Sequence, residues 1–337
     1  MGGWGRDWAW RVVPGIEEVD LVACCDSDPA ALKLTRREVK VPAKRCFASL
    51  AEGITAAKPE AVLVTTLIGG HVALTRAALE AGLHVLVEKP FAPSMVEARD
   101  LVALAEDRGL TLMVSQNYRF FPAVREVARI VREGTLGRLH GISIDFRRLS
   151  PPSGNGRSPH HSDAQPLLVD MAIHHFDLLR LIVGAEPTRV SCETWNPSWS
   201  WFSGPPMAVA SIVFDGGPVV SYRGSWLSSG QVTPWAGEWR MEFERGEVHW
   251  TSRGDDSTLA EVVDVRPRGG EVEEVALPAL ARVDRWGTLS EFVSSVRERR
   301  EPETSGRRNL GTLALAAAAV QSATGGLGRP VGLNTPS

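Results

Sequence analysis

The first third of the chain alternates short apolar runs with amphipathic segments, and this alternation constrains the fold more than any other feature. The apolar runs occupy residues 19–25, 61–66, 84–88 and 111–115. Continuous apolar runs of this length are typical of strands buried on both faces of a parallel sheet. The segments between them, residues 28–37, 49–57, 71–81 and 94–108, have helical length and spacing. Strands that alternate with helices form βαβ units, so we predict a doubly wound α/β domain.

The pattern changes after Arg119. Helices are predicted at residues 122–133, 167–183, 286–299 and 307–324, and a strand at 139–148. Residues 188–275 show the period-two alternation of half-buried strands. At about 150 residues per domain, a chain of 337 residues is expected to form two domains. We predict residues 1–119 as the doubly wound domain and residues 120–337 as an α+β domain with a mostly antiparallel open sheet.

Charge and cysteine content exclude several classes of protein. The chain carries 37 basic and 40 acidic residues, so it has no basic field for nucleic acid or anionic lipid. Its longest uniform apolar run, residues 313–320, is far short of the roughly 20 residues of a membrane helix. The cysteines are Cys24, Cys25, Cys46 and Cys192, and they have no zinc-ligand spacing. We expect a soluble cytoplasmic protein without nucleic-acid or membrane partners.

The chain opens with part of a dinucleotide-binding fingerprint, G-x-G-x-x-G. This segment consists of Met1, Gly2, Gly3, Trp4 and Gly5. Gly2 and Gly5 have the spacing of the second and third glycines, and the first would lie one residue before Met1. Since no strand precedes the motif, we expect that the true coding region starts upstream and that about one strand is missing. The alternative is that these glycines form only a flexible terminus.

An acidic residue follows at the distance expected for a ribose contact. Asp26 ends the next apolar run, 21 residues after Gly5. A carboxylate at this position binds the ribose hydroxyls of NAD. Ser27 stands where an arginine would favour NADP, so NAD is preferred and NADP is left open. The alternative role of Asp26 is to cap the helix that follows.

A lysine stands at the end of a predicted strand. Glu88, Lys89 and Pro90 follow the apolar run, and Pro90 ends the strand because it cannot donate a ladder hydrogen bond. Ligands of open α/β sheets bind at the carboxyl ends of the strands, where Lys89 is expected. The chain has five lysines, none after Lys89, whereas arginine fills most cationic positions. A lysine here indicates a need for a compact ammonium, although a solvated lysine paired with Glu88 is the simpler interpretation.

The predicted helix over residues 167–183 carries a carboxylate and an imidazole four residues apart. Asp170 and His174 therefore share one helix face. A carboxylate beside an imidazole fixes its tautomer and raises its basicity, which suits proton abstraction from an alcohol. The alternative is a buried structural histidine. No metal site is expected, because the adjacent pairs His160-His161 and His174-His175 do not have a ligand spacing.

Together these features resemble the glucose–fructose oxidoreductase/inositol dehydrogenase (Gfo/Idh/MocA) family. The matching segments are GGWG at residues 2–5, LVACCD at 21–26, AALEAGLHVLVEKP at 77–90, NYRF at 117–120, GTLG at 134–137 and DMAIHHFD at 170–177. The resemblance covers both domains and implies an NAD(P)-binding Rossmann domain followed by a substrate-binding and oligomerisation domain.

The resemblance also implies site residues. It assigns catalysis to Lys89, Asp170 and His174, with His174 taking the hydroxyl proton as the hydride leaves. The expected cofactor-binding residues are Gly2, Gly3, Trp4, Gly5, Asp26, Thr66, His71, Glu88, Lys89 and Asn117. The expected substrate-binding residues are Lys89, Arg119, Asp170, His174, Arg157 and Trp199. Thr66-Leu67 replaces the Thr-Pro that the family often has beside the nicotinamide.

The implied reaction is hydride transfer between NAD(P) and a secondary hydroxyl of a sugar, sugar acid or cyclic polyol. Indole faces pack on the apolar faces of sugars, and the WNPSWSW segment at residues 195–201 is the best candidate for such contacts. The resemblance also implies a homodimer or homotetramer. Two alternatives stay open: a redox-assisted glycosidase or lyase that retains NAD, and a non-catalytic cofactor-binding regulator.

Overall fold

The computed structural model describes residues 1–152, 158–255, 261–326 and 328–332, which form two compact units. The first contains Met1–Asn117 and Arg282–Leu310, and the second contains Tyr118–Ala281 and the chain from Gly311 onward. In the part of the chain that the structure describes, no helix has the length and apolar content needed to cross a membrane.

The first unit has the predicted alternation of strands and helices. Its strands are β1 (Cys24–Cys25), β2 (Cys46–Phe47), β3 (Ala61–Val64), β4 (His84–Glu88) and β5 (Leu112–Ser115). Its helices are α1 (Gly3–Asp7), α2 (Pro29–Glu38), α3 (Leu50–Ala57), α4 (Ile68–Glu80), α5 (Met95–Asp107) and α8 (Asp284–Glu298). Side chains at the predicted starts cap α3 and α5, where Ser49 and Ser94 accept backbone N–H groups of the first turn.

All strand pairs described in the first unit are parallel, and they form two separate sheets. β1 pairs with β2, whereas β3, β4 and β5 form a three-stranded sheet in that order. Val64 lies opposite Val87, and Glu88 lies opposite Ser115, so these three strands end at one edge. The strand predicted over residues 19–25 is shorter than expected, since only Cys24–Cys25 forms ladder bonds.

The second unit is built on a nine-stranded mixed sheet. Its strands are β6 (Leu139–Arg147), β7 (Arg189–Trp195), β8 (Met207–Val213), β9 (Val219–Ser225), β10 (Glu238–Phe243), β11 (Gly246–Thr251), β12 (Val262–Pro267), β13 (Glu273–Glu274) and β14 (Arg329–Pro330). Their order is β13-β12-β11-β10-β6-β9-β8-β7-β14. Within the described part of this nine-stranded sheet, only β6 and β9 pair in parallel, which fits the predicted, mostly antiparallel sheet.

One face of this sheet carries the core of the unit. Ile142, Ile144 and Phe146 on β6 alternate with polar residues and are buried, as are Val220 and Tyr222 on β9. The helices of the unit are α6 (Pro122–Glu133), α7 (Ile173–Val183) and most of α9 (Gly306–Gly325). Packing of an apolar sheet face against amphipathic helices follows from the period-two pattern of the strands.

The segment before α7 departs from the single α-helix predicted over residues 167–183. Pro166–Ala172 winds as a π-helix, and regular α-helix begins at Ile173. The wider turn places Asp170 and His174 in a different geometry from the simple i, i+4 face of an α-helix. Single π turns inside helices occur frequently at functional sites.

Candidate active site

The glycine segment forms the N-cap, Gly2, and the first turn of α1. Gly5 packs against the loop after β3, because a Cβ on Gly5 would lie 2.6 Å from the Oγ1 of Thr65. At Gly2 and Gly3, by contrast, the position that a Cβ would take has no described atom within 4 Å other than those of the adjacent residues and the backbone of the same helix. A close approach at the third glycine and open space at the earlier ones fit a loop that receives a pyrophosphate.

Asp26 lies directly after β1, at the end of the first parallel pair. Its carboxylate accepts hydrogen bonds from the amino group of Met1 and, over 2.9 Å, from the backbone N–H of Asp28. Partial burial acts to raise the pKa of Asp26, but these hydrogen bonds outweigh it and hold the pKa below its ordinary value. The side chain is therefore an ionised acceptor, as a ribose contact requires.

Two indoles fix the carboxylate that precedes Lys89. Trp4 and Trp8 both donate their Nε1–H to the Oε1 of buried Glu88, over 2.8 and 2.6 Å. The guanidinium of Arg285 lies 4.2 Å from the Trp4 ring centroid and 5.4 Å from that of Trp8. Glu88 is thus held by the N-terminal helical segment at the end of β4, immediately before half-buried Lys89.

His71 ties two loops at the same edge of the sheet. Its Nδ1 lies 2.8 Å from the carbonyl oxygen of Pro90, and its Nε2 lies 3.0 Å from that of Thr66. The imidazole is 1% exposed. His71 thereby links the loop after β3 to the turn that follows Lys89. Asn117, after β5, donates its side-chain amide to Asp284.

In the second unit, the imidazole of His174 is buried and stacked on a phenol. The rings of His174 and Tyr118 have centroids 4.1 Å apart and are 6° from parallel. The guanidinium of Arg253 lies 4.4 Å from the Tyr118 centroid, and its Nη1 donates to the Tyr118 hydroxyl over 2.6 Å. This contact fixes the ring plane of His174, which lies one turn after half-buried Asp170.

The neighbouring histidine, His175, is held by hydrogen bonds that indicate a structural role. His175 is fully buried, with Nδ1 3.2 Å from the Tyr222 hydroxyl and Nε2 3.0 Å from the carbonyl oxygen of Trp235. Burial lowers the pKa of His175 to about 4, against a weaker opposing effect of the hydrogen bond to Trp235. His175 is therefore neutral near pH 7, with Nε2–H donating to the carbonyl and Nδ1 accepting from Tyr222.

Arg119 lies in a buried ion pair. Its Nε and Nη2 donate to the two carboxylate oxygens of Asp177, over 2.5 and 2.8 Å, and Thr312 adds a hydrogen bond of 2.9 Å to the same carboxylate. A bidentate pair of this kind fixes orientation as well as charge. It ties the 3-10 turn Asn117–Phe120 to α7, the helix that begins beside His174.

Of the other two expected substrate contacts, one is an exposed side chain and one lies outside the described residues. Trp199 is 64% exposed on the surface of the second unit. Arg157 lies outside the described residues. The structure also adds Tyr118 and Arg253, which sequence reasoning missed. Tyr118 stands between two expected site residues in the NYRF segment, whereas Arg253 is separated from it by more than 100 residues and had no sequence signal.

Comparison with known proteins connects both units to one family. Residues 3–116 match the family described as "Oxidoreductase family, NAD-binding Rossmann fold", and residues 124–249 match the "GFO/IDH/MocA C-terminal domain". The chain is 28% identical over 333 residues to a D-apiose dehydrogenase of Paraburkholderia graminis, covering 94% of this chain and 84% of that protein. It is 29% identical over 182 residues to the inositol 2-dehydrogenase of Rhizobium meliloti, covering 54% and 52%.

The fold comparison agrees. A crystal structure of an oxidoreductase from Agrobacterium radiobacter, in complex with NAD⁺, L-tartaric acid and magnesium, superposes with a TM-score of 0.84 at 20% identity. The match covers 97% of this chain and 95% of that one. The expected family and fold class are thus confirmed, and the residues around the glycine loop fit the expected cofactor. The chain belongs to the Gfo/Idh/MocA family of oxidoreductases, and its first unit is an NAD-binding Rossmann domain.

Proposed function

We propose that this protein is an NAD-dependent dehydrogenase that oxidises a secondary hydroxyl of a sugar, sugar acid or cyclic polyol. The observation that carries the proposal is the buried imidazole of His174, held flat against Tyr118 one turn after Asp170. His174, the proposed base, belongs to a chain whose first unit matches an NAD-binding family. Relatives that bear the names D-apiose dehydrogenase and inositol 2-dehydrogenase support the substrate class.

In the proposed reaction each side chain has a defined task. NAD, when bound, would be held by Gly2, Gly3 and Asp26 and would supply the acceptor for the hydride. His174 takes the hydroxyl proton at a ring nitrogen while the C–H bond of the same carbon breaks and its hydrogen leaves as hydride. The alcohol thus becomes a ketone, with two electrons and one proton leaving as the hydride and the second proton held by His174. Asp170 stabilises the imidazolium that forms, and the ammonium of Lys89 stabilises the oxygen as negative charge develops on it.

The supporting residues set the positions of these groups. We propose that Trp4 and Trp8 hold Glu88, and that His71 holds the Pro90 carbonyl, so that both sides of Lys89 are fixed. Cofactor contacts through Thr66, His71, Glu88 and Asn117, and substrate contacts through Arg119, Arg157 and Trp199, remain part of the proposal. The charge of Arg119 already serves Asp177, so its main task in this proposal is to position the turn that carries Tyr118.

Variants of the reacting groups test the proposal directly. His174→Ala and Lys89→Ala should each lower kcat by about 10²–10⁴-fold, the range typical of a lost acid–base or charge-stabilising group. NADH formation is followed at 340 nm over a panel of sugars, sugar acids and polyols. Exposed His140 provides the control variant His140→Gln, which should keep full activity. Wild-type turnover that survives both alanine changes would refute the assigned roles, and consumption of substrate without net NADH would favour the redox-assisted alternative.

We also propose that the protein forms a homodimer or homotetramer through the open face of the nine-stranded sheet. Four serines, Ser143, Ser221, Ser211 and Ser191, lie side by side in register across β6, β9, β8 and β7. The next row combines opposite charges, with Arg223 bonded to Asp145. We infer that an exposed row of small residues flanked by both signs of charge can pair with a second copy of itself, as isologous interfaces require.

We also propose that the protein is located in the cytoplasm. The four cysteines are free thiols, and two of them, Cys24 and Cys192, are buried. Burial raises the pKa of both thiols to about 12, so they remain protonated and unreactive. Free buried thiols are typical of proteins that work in a reducing compartment.

A further inference from the structure

A second group of cations and indoles lies in the same unit as His174. Arg148 follows β6 and is 7% exposed, and its guanidinium lies 4.2 Å from the ring centroid of Trp235. Arg253 lies over the same indole at 5.8 Å and over Tyr118 at 4.4 Å. Since Tyr118 stacks on His174, these contacts form a continuous chain of packed groups from the imidazole to Arg148.

Within the described part of the chain, only one nitrogen of the Arg148 guanidinium makes a hydrogen bond. Its Nη1 donates to the carboxylate of Asp255, whereas the buried Nε and Nη2 have no hydrogen-bond partner among the described residues. These two N–H groups form one edge of the planar guanidinium, which is the edge that matches both oxygens of a carboxylate. The face of the group rests on Trp235, and Asp255 holds its far end, so the unused edge has a fixed direction.

A second buried donor lies beside it. The Nε1 of Trp226 also lacks a partner in the ranges that the structure describes, although Trp226 is 4% exposed. Its ring centroid is 6.1 Å from that of Trp235, and Arg148 donates its backbone N–H to the carbonyl of the residue preceding Trp226, Ser225. Buried donors without an acceptor are rare, because each costs the desolvation of a polar group. Three such N–H groups together indicate a missing acceptor.

The local charge favours an anion. Arg148 and Arg253 contribute two positive charges, and Asp255 contributes one negative charge. Burial acts to raise the pKa of Asp255, but hydrogen bonds from Arg148 and Trp235 and the charges of both arginines hold its pKa below the ordinary value. Asp255 therefore remains ionised near pH 7, and these three side chains keep an excess of one positive charge.

We propose that Arg148, supported by Arg253 and Trp226, is a subsite for the carboxylate of the substrate, so that the preferred substrate is a sugar acid. This inference rests on the proposed dehydrogenase function, because it selects one class among the sugars and polyols considered there. A carboxylate satisfies the Nε and Nη2 of Arg148 with two parallel hydrogen bonds. A neutral sugar leaves the buried guanidinium edge without an acceptor.

The test compares acidic and neutral probes on the full-length protein with NAD⁺ present. Isothermal titration calorimetry is run with D-gluconate, D-galacturonate, D-glucose, myo-inositol and inorganic phosphate. The wild type should bind at least one sugar acid tenfold or more tightly than either neutral compound. Arg148→Lys, which keeps the charge but loses the fork, should reduce that preference by about tenfold or more and leave neutral-compound affinity unchanged.

Two further variants keep the result interpretable. Arg148→Gln combined with Asp255→Asn removes both charges together and should fold while it loses the preference for acids. Arg138→Gln changes an arginine whose side chain is 87% exposed, and it should retain wild-type preference. Equal affinity for acids and neutral compounds in the wild type, unchanged preference in Arg148→Lys, or binding of phosphate alone would each overturn the proposal.

Turnover separates this subsite from the dehydrogenase function. NADH formation from neutral polyols without preference for acids would overturn the subsite and leave the proposed function intact. If a sugar acid binds in a way that depends on Arg148 but no NADH forms, the subsite is supported and the proposed dehydrogenase function is overturned.

Discussion

At the scale of single residues, adjacent histidines on one helix have different surroundings, and we propose different roles for them on that basis. His174 stacks on a phenol and stands beside a carboxylate-bearing turn, whereas His175 is bonded to Tyr222 and the backbone of Trp235. In the sequence, the spacing of four residues from Asp170 and the resemblance to a family motif distinguished His174 from His175, but neither showed what surrounds each imidazole. Tertiary partners that lie 47 and 60 residues away along the chain decide the difference.

His175 makes the stability of the protein depend on pH. Its pKa is about 4 in the folded state and 6.5 ordinarily, so the unfolded chain binds a proton between these values and the folded chain does not. The stabilisation is fully present above about pH 6.5 and is lost as the pH falls toward 4, by roughly 3 kcal/mol.

Urea unfolding at several pH values between 7.5 and 4.5 measures this contribution. The variant His175→Gln cannot titrate and should lose part of the decline in unfolding free energy with falling pH. His140→Gln, at an exposed position, serves as the control and should follow the wild type. Identical pH dependence in all three proteins would show that His175 is not the group responsible.

At the scale of elements, the hydrophobic pattern of the sequence predicted the bounds of some helices and strands closely. It failed where the type of helix or the length of a strand depends on contacts with other parts of the chain. β4 and α6 have the predicted bounds, because a buried apolar run ends at Lys89-Pro90 in one case and Gly134 ends the helix in the other. The run over residues 19–25 became a strand only where β2 pairs with it. The π-helix Pro166–Ala172 was not predictable, since apolar spacing does not distinguish it from an α-helix.

The residues of the candidate site were likewise predictable only where a short sequence motif contains them. Lys89, Asp170 and His174 could be proposed from short motifs, because each motif lies within a few residues of the chain. Arg148 and Arg253 could not, because their position beside Trp235 is produced by the sheet that brings distant strands together.

The contact of α1 with the loop after β3 gives a prediction at this scale. Gly5→Ala places a methyl group 2.6 Å from the Oγ1 of Thr65, and such overpacking should cost about 1–3 kcal/mol of unfolding free energy. The displaced helix start should also weaken NAD⁺ binding, which is measured by calorimetry alongside urea unfolding. Thr65→Ala in the Gly5→Ala background should restore both quantities in part. Gly69→Ala is the matched control, because no described atom beyond the adjacent residues and the backbone of α4 lies within 4 Å of the added methyl group.

At the scale of the whole molecule, the described residues of each unit have a separate architecture, and the residues proposed for cofactor binding and catalysis are distributed over both units. The first unit contains the glycine loop, Asp26 and Lys89, and the second contains Asp170 and His174. The chain crosses between the units three times: at Asn117–Tyr118, at Ala281–Arg282 and at Leu310–Gly311, within α9. A boundary inside a continuous helix gives no change of pattern, so sequence reasoning predicted a simple division into two segments.

A substitution on the open face of the nine-stranded sheet should disrupt the proposed assembly. Ser221 lies at the centre of the serine row, between Ser143 and Ser211, so a long charged side chain there would hold a second copy away. Ser221→Arg should convert the proposed dimer or tetramer to monomers, because it adds bulk and an uncompensated charge to a self-complementary surface. Sedimentation velocity measures the assembly, and circular dichroism confirms that the variant is folded. Ser221→Ala keeps the surface small and should assemble as the wild type does. A wild-type protein that remains monomeric at tens of micromolar, or a Ser221→Arg variant that assembles normally, would exclude this face as the interface.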